Sequence, residues 1–171
     1  MKNSIGFIGA GRVVRILLQG FKNKNVQFGK IMVSDTNPDV ITKLKQQFPE
    51  VEQVEASAAA SQEIVFIALH PPVIMDTLES LKDHFMQNST VVSLAPKINL
   101  QKLSSKLEGV KNIARLIPNA TSYINEGYNP VTLAGGFDPG LKKSLMSLLG
   151  NLGYTFEVPE EKLESYAIMS A

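Results

Sequence analysis

The stretch SIGFIGAGRVVRILLQGF, residues 4–21, runs a short apolar segment into two glycines, Gly9 and Gly11, and then at once into an amphipathic segment. Ser4 to Ile8 has the composition of a buried strand. From Arg12 onward, Val13, Ile16, Leu17, Gly20 and Phe21 recur at the spacing of one helix face. A strand, a glycine bend and a helix in immediate succession are the first half of a βαβ unit, and the remainder of the chain repeats that alternation.

KIMVS (30–34) reads as a second strand. Asn37-Pro38 then offers an N-cap and a proline at the first helical position of a helix through Phe48. EIVFIAL (63–69) is almost wholly apolar, as expected of a strand covered by helices on both faces. Pro71-Pro72 follows, and VIMDTLESLKDHF (73–85) is helical. TVVSLA (90–95) is another buried strand, with Asn99 capping the helix LQKLSSKL. NIARLI (112–117), PVTLAGG (130–136) and YTFEV (154–158) supply three more strands. The helix GLKKSLMSLLGNL lies between the last two and is opened by Asp138-Pro139. Such alternation predicts an α/β, Rossmann-type, doubly wound, mostly parallel sheet in a three-layer α/β/α arrangement with right-handed crossovers.

The totals fit one compact domain: 171 residues, 44% hydrophobic and 19% charged, with a net charge of +1. Near-neutral charge without a basic run argues against a nucleic-acid partner. The absence of cysteine excludes disulfides and thiolate chemistry, and two histidines, His70 and His84, make a histidine metal site improbable. No apolar run approaches the ~18 residues of a membrane span, and Ile5–Ile8 is too short for a signal-peptide core. The expected setting is cytoplasmic, without membrane contact.

Gly9 permits a sharp strand-to-helix turn. Gly11 removes the side chain that would block a pyrophosphate, and the helix beginning near Arg12 aims free N–H groups at that anion. The third small position of such a fingerprint holds Val14, which is expected to push the helix slightly off the sheet. Asp35 follows Gly11 by about two dozen residues, near the ~20-residue offset at which an acid accepts from the adenosine ribose 2′-OH. Two readings stand for it. One is a ribose contact favouring NADH, against which Ser34, Thr36, Asn37 and a compensating Arg12 would tolerate a 2′-phosphate. The other is a turn-capping residue.

Together these segments resemble the N-terminal domain of the pyrroline-5-carboxylate reductase family from residue 4 to the end of the chain. The resemblance rests on IGFIGAG, VSDTNP, ALHPP (family A-V-K-P), SLAPKINL (S-I-A-A-G-I-T-L), RLIPNATSYINEG (R-V-M-P-N-T-P-A-L-V-G-E-G) and EEKLESYAIMSA (a segment ending L-S-G-S-G). It implies NADP or NAD laid across the carboxyl ends of the strands, and hydride transfer to the C=N carbon of a small cyclic imino acid in proline biosynthesis. By position, Gly9, Ala10, Gly11, Arg12 and Val13 would wrap the pyrophosphate. Ser34 and Asp35 would meet the adenosine ribose, with Ser57 near the adenine. Ala68, Leu69, His70 and Pro71, with Leu94, Ala95 and Pro96, would line the nicotinamide half, and Asn119 would stand near the reacting ring. No catalytic residue is assigned, and Asn119 and His70 are the candidates beside the nicotinamide.

The departures fall on the substrate side. His70 replaces a lysine, Pro96-Lys97 replaces Ala-Gly, and Thr121 replaces a proline. Lys97 would either fill space needed by nicotinamide or substrate, or attract a carboxylate. His70 is read equally as a site group or as a loop residue. Residues 1–158 are expected to form the NAD(P)-binding domain. Residues 159–171 are expected to begin a helix leading to a second, oligomer-forming domain that this chain lacks, making it a fragment or a natural short form. Such a piece should bind cofactor and reduce little or nothing. The alternatives are a non-catalytic dinucleotide-sensing or partner-binding module, and a related dehydrogenase of a hydroxy or amino acid.

Overall fold

A computed structural model describes residues 2–169. Its eight strands are β1 Ser4–Ile8, β2 Lys30–Ser34, β3 Val51–Gln53, β4 Ile64–Ile67, β5 Thr90–Ser93, β6 Asn112–Leu116, β7 Gly127–Leu133 and β8 Gly153–Glu157. They form one sheet in the order β3-β2-β1-β4-β5-β6-β7-β8, parallel throughout except where β7 runs antiparallel to β6. The helices are α1 Arg12–Asn23, α2 Pro38–Gln47, α3 Ala56–Ala60, α4 Pro71–Leu81, α5 Leu100–Lys106, α6 Pro139–Gly150 and α7 Glu160–Met169. The α/β fold with a mostly parallel sheet is as the sequence predicts.

Two apolar layers flank the sheet, and strand pleating assigns each residue to one of them. On β4, Ile64 and Phe66 join the layer under α1, α2 and α6, while Val65 and Ile67 join the layer under α4 and α5. Phe7 stacks on Phe66 at 5.0 Å between ring centroids, tying β1 to β4 in the first layer. The caps expected at Asn37, Asn99 and Asp138 all form, accepting from the amides of Asp39, Lys102 and Leu141. Each such cap contributes roughly 1 kcal/mol to its helix.

Several details differ from the sequence reading. Of the expected core face of α1, Leu17, Gly20 and Phe21 are buried, while Val14 and Leu18 take the places expected for Val13 and Ile16. Val14 is therefore no obstruction. It is fully buried among the residues joining α1 to the sheet. Neither β3 nor α3 is predicted, since three and five residues are too few to show a period. Strand β7 starts at Gly127 rather than Pro130. A 3₁₀ turn, Ala120–Ile124, in place of a crossover helix lets it return antiparallel. Helix α4 begins at Pro71, two residues earlier than expected, and passes into a 3₁₀ turn at Lys82–His84. No helix among the described residues is long and apolar enough to cross a membrane.

Candidate dinucleotide site

The sheet order turns at β1: the chain goes from β1 outward to β2 and β3, then crosses to β4 on the other side. In open α/β sheets the crevice at the carboxyl ends of two such strands is where ligands bind. Gly9 leaves β1 at that point with φ +101°, and a Cβ there would lie 2.4 Å from the carbonyl oxygen of Ala68 at the end of β4. Its amide donates to Ser34 O at 2.7 Å. The fold itself requires glycine at position 9.

Gly11 differs. It caps α1 with φ −70° and ψ −168°, values open to any residue, and a Cβ added to it would meet nothing within 4 Å. Among the described residues no clash and no backbone angle asks for a glycine here. What the missing side chain leaves open is the space in front of the first turn of α1, which carries no acidic residue. The Gly11 carbonyl accepts from Val14 and Arg15, whereas the amides of Arg12 and Val13 are in the first turn and have no intrahelical acceptor. An anion set there would meet bare N–H groups and the positive end of a twelve-residue helix.

Ala10 is fully buried, and its amide donates to Asp35 Oδ2 at 2.8 Å. The Asn37 amide donates to Asp35 Oδ1, also at 2.8 Å. Asp35 thus combines the turn role with a strap from β2 to the glycine loop. Each oxygen keeps acceptor capacity that a ribose hydroxyl could use. Ser34 ends β2 half-buried beside it, and Ser57 lies half-buried in the first turn of α3, which packs on β1 and β2.

On the other side of the crevice the ladder continues past the strand ends, with Ala68 N to Ile8 O at 2.8 Å and Leu94 N to Ile67 O at 3.0 Å. Ala68, Leu69 and Pro71 are half-buried at this rim. His70 is exposed at the N-cap position of α4, and its ring makes no cap bond. Leu94 and Ala95 turn their side chains into the two apolar layers, so only their backbone faces the rim, and Pro96 is exposed. Asn119 Oδ1 accepts from Thr121 Oγ1 and the Tyr128 amide, so its carbonyl side serves the turn. Arg12 and Arg15 border a groove of about 450 Å³ with Thr121, Tyr123 and Ile124, on the Asn119 side.

A further cluster lies outside the site residues that the sequence predicts. Arg115, the fourth of the five residues of buried β6, is 1% exposed. Its Nη1 donates to Glu160 Oε1 at 2.9 Å and its Nη2 pairs with Glu164 Oε1. Glu160 Oε1 also accepts the Leu100 amide at 2.7 Å, and Glu164 accepts the Lys97 amide at 3.1 and 3.2 Å. Lys97 has φ +67°, a conformation that favours glycine. A cavity of about 960 Å³ opens beside these groups. An arginine inside an otherwise apolar strand is the mark by which the sequence could have revealed them. The strongest carboxylate shift lies elsewhere: Lys106 and Lys82 hold exposed Glu79 down at about 2.

A family model described as NADP oxidoreductase coenzyme F420-dependent matches residues 4–97. Pyrroline-5-carboxylate reductase of Escherichia coli K12 is 30% identical over 135 residues, covering 77% of this chain and 50% of that protein. The chain thus spans about half the length of that relative. The solved pyrroline-5-carboxylate reductase of Coxiella burnetii superposes with a TM-score of 0.86 at 23% identity, covering 99% of this chain and 64% of that one. That of Plasmodium falciparum, solved with NADP bound, gives 0.83 at 18%, covering 98% and 62%. These two likenesses show the shared fold. With the family model matching over half of its residues, the chain belongs to the NADP oxidoreductase coenzyme F420-dependent family, and the relatives it is similar to are pyrroline-5-carboxylate reductases.

Proposed function

We propose that this chain is the cofactor-binding domain of an NADP(H)- or NAD(H)-dependent reductase of the pyrroline-5-carboxylate type. The observation that carries the reading is Gly11, a glycine with ordinary dihedrals facing open space at the head of a helix. Such a position is explained by a ligand that must touch backbone, and a pyrophosphate is the anion that the α/β crevice accommodates. The NADP in the Plasmodium falciparum neighbour supports the choice of group. When bound, the nicotinamide supplies the hydride.

In this reading Gly9 to Val13 form the pyrophosphate cradle, with Ser34, Asp35 and Ser57 at the adenosine end. Residues 68–71 and 94–96 flank the nicotinamide, with Asn119 beside the ring. The substrate is a small cyclic imino acid accepting hydride at its C=N carbon. Residues 1–158 form the binding unit and α7 leads out of it. A cytoplasmic homo-oligomer completes the proposal.

Calorimetric titration with NADPH and NADH, alongside an assay of pyrroline-5-carboxylate reduction, tests both halves. Saturable binding of at least one dinucleotide is expected, with little or no turnover by these residues alone. No heat and no thermal shift with either cofactor would falsify the cradle. Full reductase turnover would contradict the view that these residues supply only the cofactor half.

A further inference from the structure

Resting on that reading, we propose that Arg115, Glu160 and Glu164 form a latch that positions loop 96–99 against the nicotinamide end of the bound dinucleotide. The physical starting point is the buried guanidinium. A charge removed from water is tolerated only when paired and hydrogen-bonded. Arg115 finds both partners on α7, one helical turn apart and therefore on one face.

Neither carboxylate is spent on Arg115 alone. Glu160 also accepts the Leu100 amide, and Glu164 the Lys97 amide. The three side chains thus join β6, α7 and the segment following β5 into one polar network. Lys97 sits in a left-handed conformation that L side chains disfavour, so something must hold it there. The Glu164 carboxylate, with both oxygens toward that amide, is what holds it.

This segment continues β5, whose end is bonded to the end of β4, which in turn is bonded to β1. Along the rim, loop 96–99 therefore stands on the β4–β5 side of the crevice. The adenosine end lies at β2, about three strand spacings or ~14 Å away. A displaced loop should weaken contacts to the nicotinamide half and leave the adenosine half untouched.

The test uses Glu164→Ala and the gentler Glu164→Gln, which keeps an acceptor for the Lys97 amide. Each is titrated with NADPH and with 2′-phospho-ADP-ribose, which lacks the nicotinamide, and in parallel with NADH and ADP-ribose. The expected result for Glu164→Ala is a loss of about fivefold or more for the dinucleotides and less than about twofold for the truncated ligands, with Glu164→Gln between it and wild type. The Lys97 amide resonance should move in the ligand-free variants. Equal weakening of full and truncated ligands, or no weakening of either, overturns the latch while leaving the cradle standing. Failure of the wild-type chain to bind any of the four overturns the dinucleotide reading and the latch with it.

Discussion

Asp35 accepts the amide of Ala10 at 2.8 Å, so the carboxylate that closes β2 holds the middle residue of the glycine loop. Its other oxygen accepts the Asn37 amide, which opens α2. Ala10 is fully buried, and without this acceptor its N–H would have no partner. Asp35→Asn turns one acceptor into a donor facing an amide. It should lower stability by about 1 kcal/mol, and it should weaken NADH and NADPH by similar factors because it disturbs the cradle common to both. Thermal melts and calorimetry on the variant check this. A selective gain for NADPH at unchanged stability would identify Asp35 as a ribose contact alone.

The two glycines of the loop should respond in opposite ways. Gly11→Ala adds a methyl group to empty space at permissive dihedrals but puts a poorer N-cap on α1, so stability should change by no more than about 1 kcal/mol while dinucleotide affinity falls roughly tenfold or more. Gly9→Ala drives a Cβ into the Ala68 carbonyl at positive φ and should destabilise by about 2 kcal/mol or more. Denaturation midpoints and binding isotherms for the pair separate a fold requirement from a ligand requirement. Undiminished affinity in Gly11→Ala would remove the cradle argument.

Removing the hub of the α7 network should cost less than removing its acceptors. Arg115→Met puts an apolar side chain in a buried place and leaves two glutamates that are 33% and 40% exposed free to rehydrate. The double variant Glu160→Ala/Glu164→Ala strands a buried cation, for which a loss of about 3–5 kcal/mol is expected. Chemical denaturation of both proteins measures the order, and a more stable double variant would contradict it.

Glu79 offers a pH test remote from the crevice. Its carboxyl is hydrogen-bonded first by Lys106 and then by Lys82, which lowers its pKa from 4.5 to about 2. A carboxylate depressed in the folded state contributes stability above its unfolded value and loses it as pH falls through the folded one. The stability difference between wild type and Glu79→Gln should therefore be constant above about pH 5 and should shrink between about 4.5 and 2. A carbon-13 titration of the Glu79 carboxyl reads the same midpoint directly.

The parts of the fold that the sequence revealed are those where one physical signal dominates. Val65 to Ile67 can only be a strand covered on both faces, and Asn37, Asn99 and Asp138 announce their helices through side-chain caps. In α1 the spacing correctly marks Leu17, Gly20 and Phe21 as buried, but Val13 and Val14 are both apolar, and only the packing decides that Val14 is the inner one. Gly9 and Gly11 looked alike in the sequence, and their different reasons appear only once Ala68 O is placed beside one and empty space beside the other. Arg115 escaped notice because its partners lie 45 and 49 residues downstream, where no local pattern connects them.

The reversal at β7 has a directional outcome. In a uniformly parallel sheet, each helix after a strand descends from the carboxyl rim to the opposite rim. Because β7 and β8 both run against the other six strands, α7 instead climbs. Glu160 starts it level with Arg115, Glu164 reaches Lys97, and Tyr166 arrives over Tyr128 near the beginning of β7. One inverted pairing thus steers the last described helix upward and delivers its final turn to the carboxyl rim of the sheet beside the start of β7.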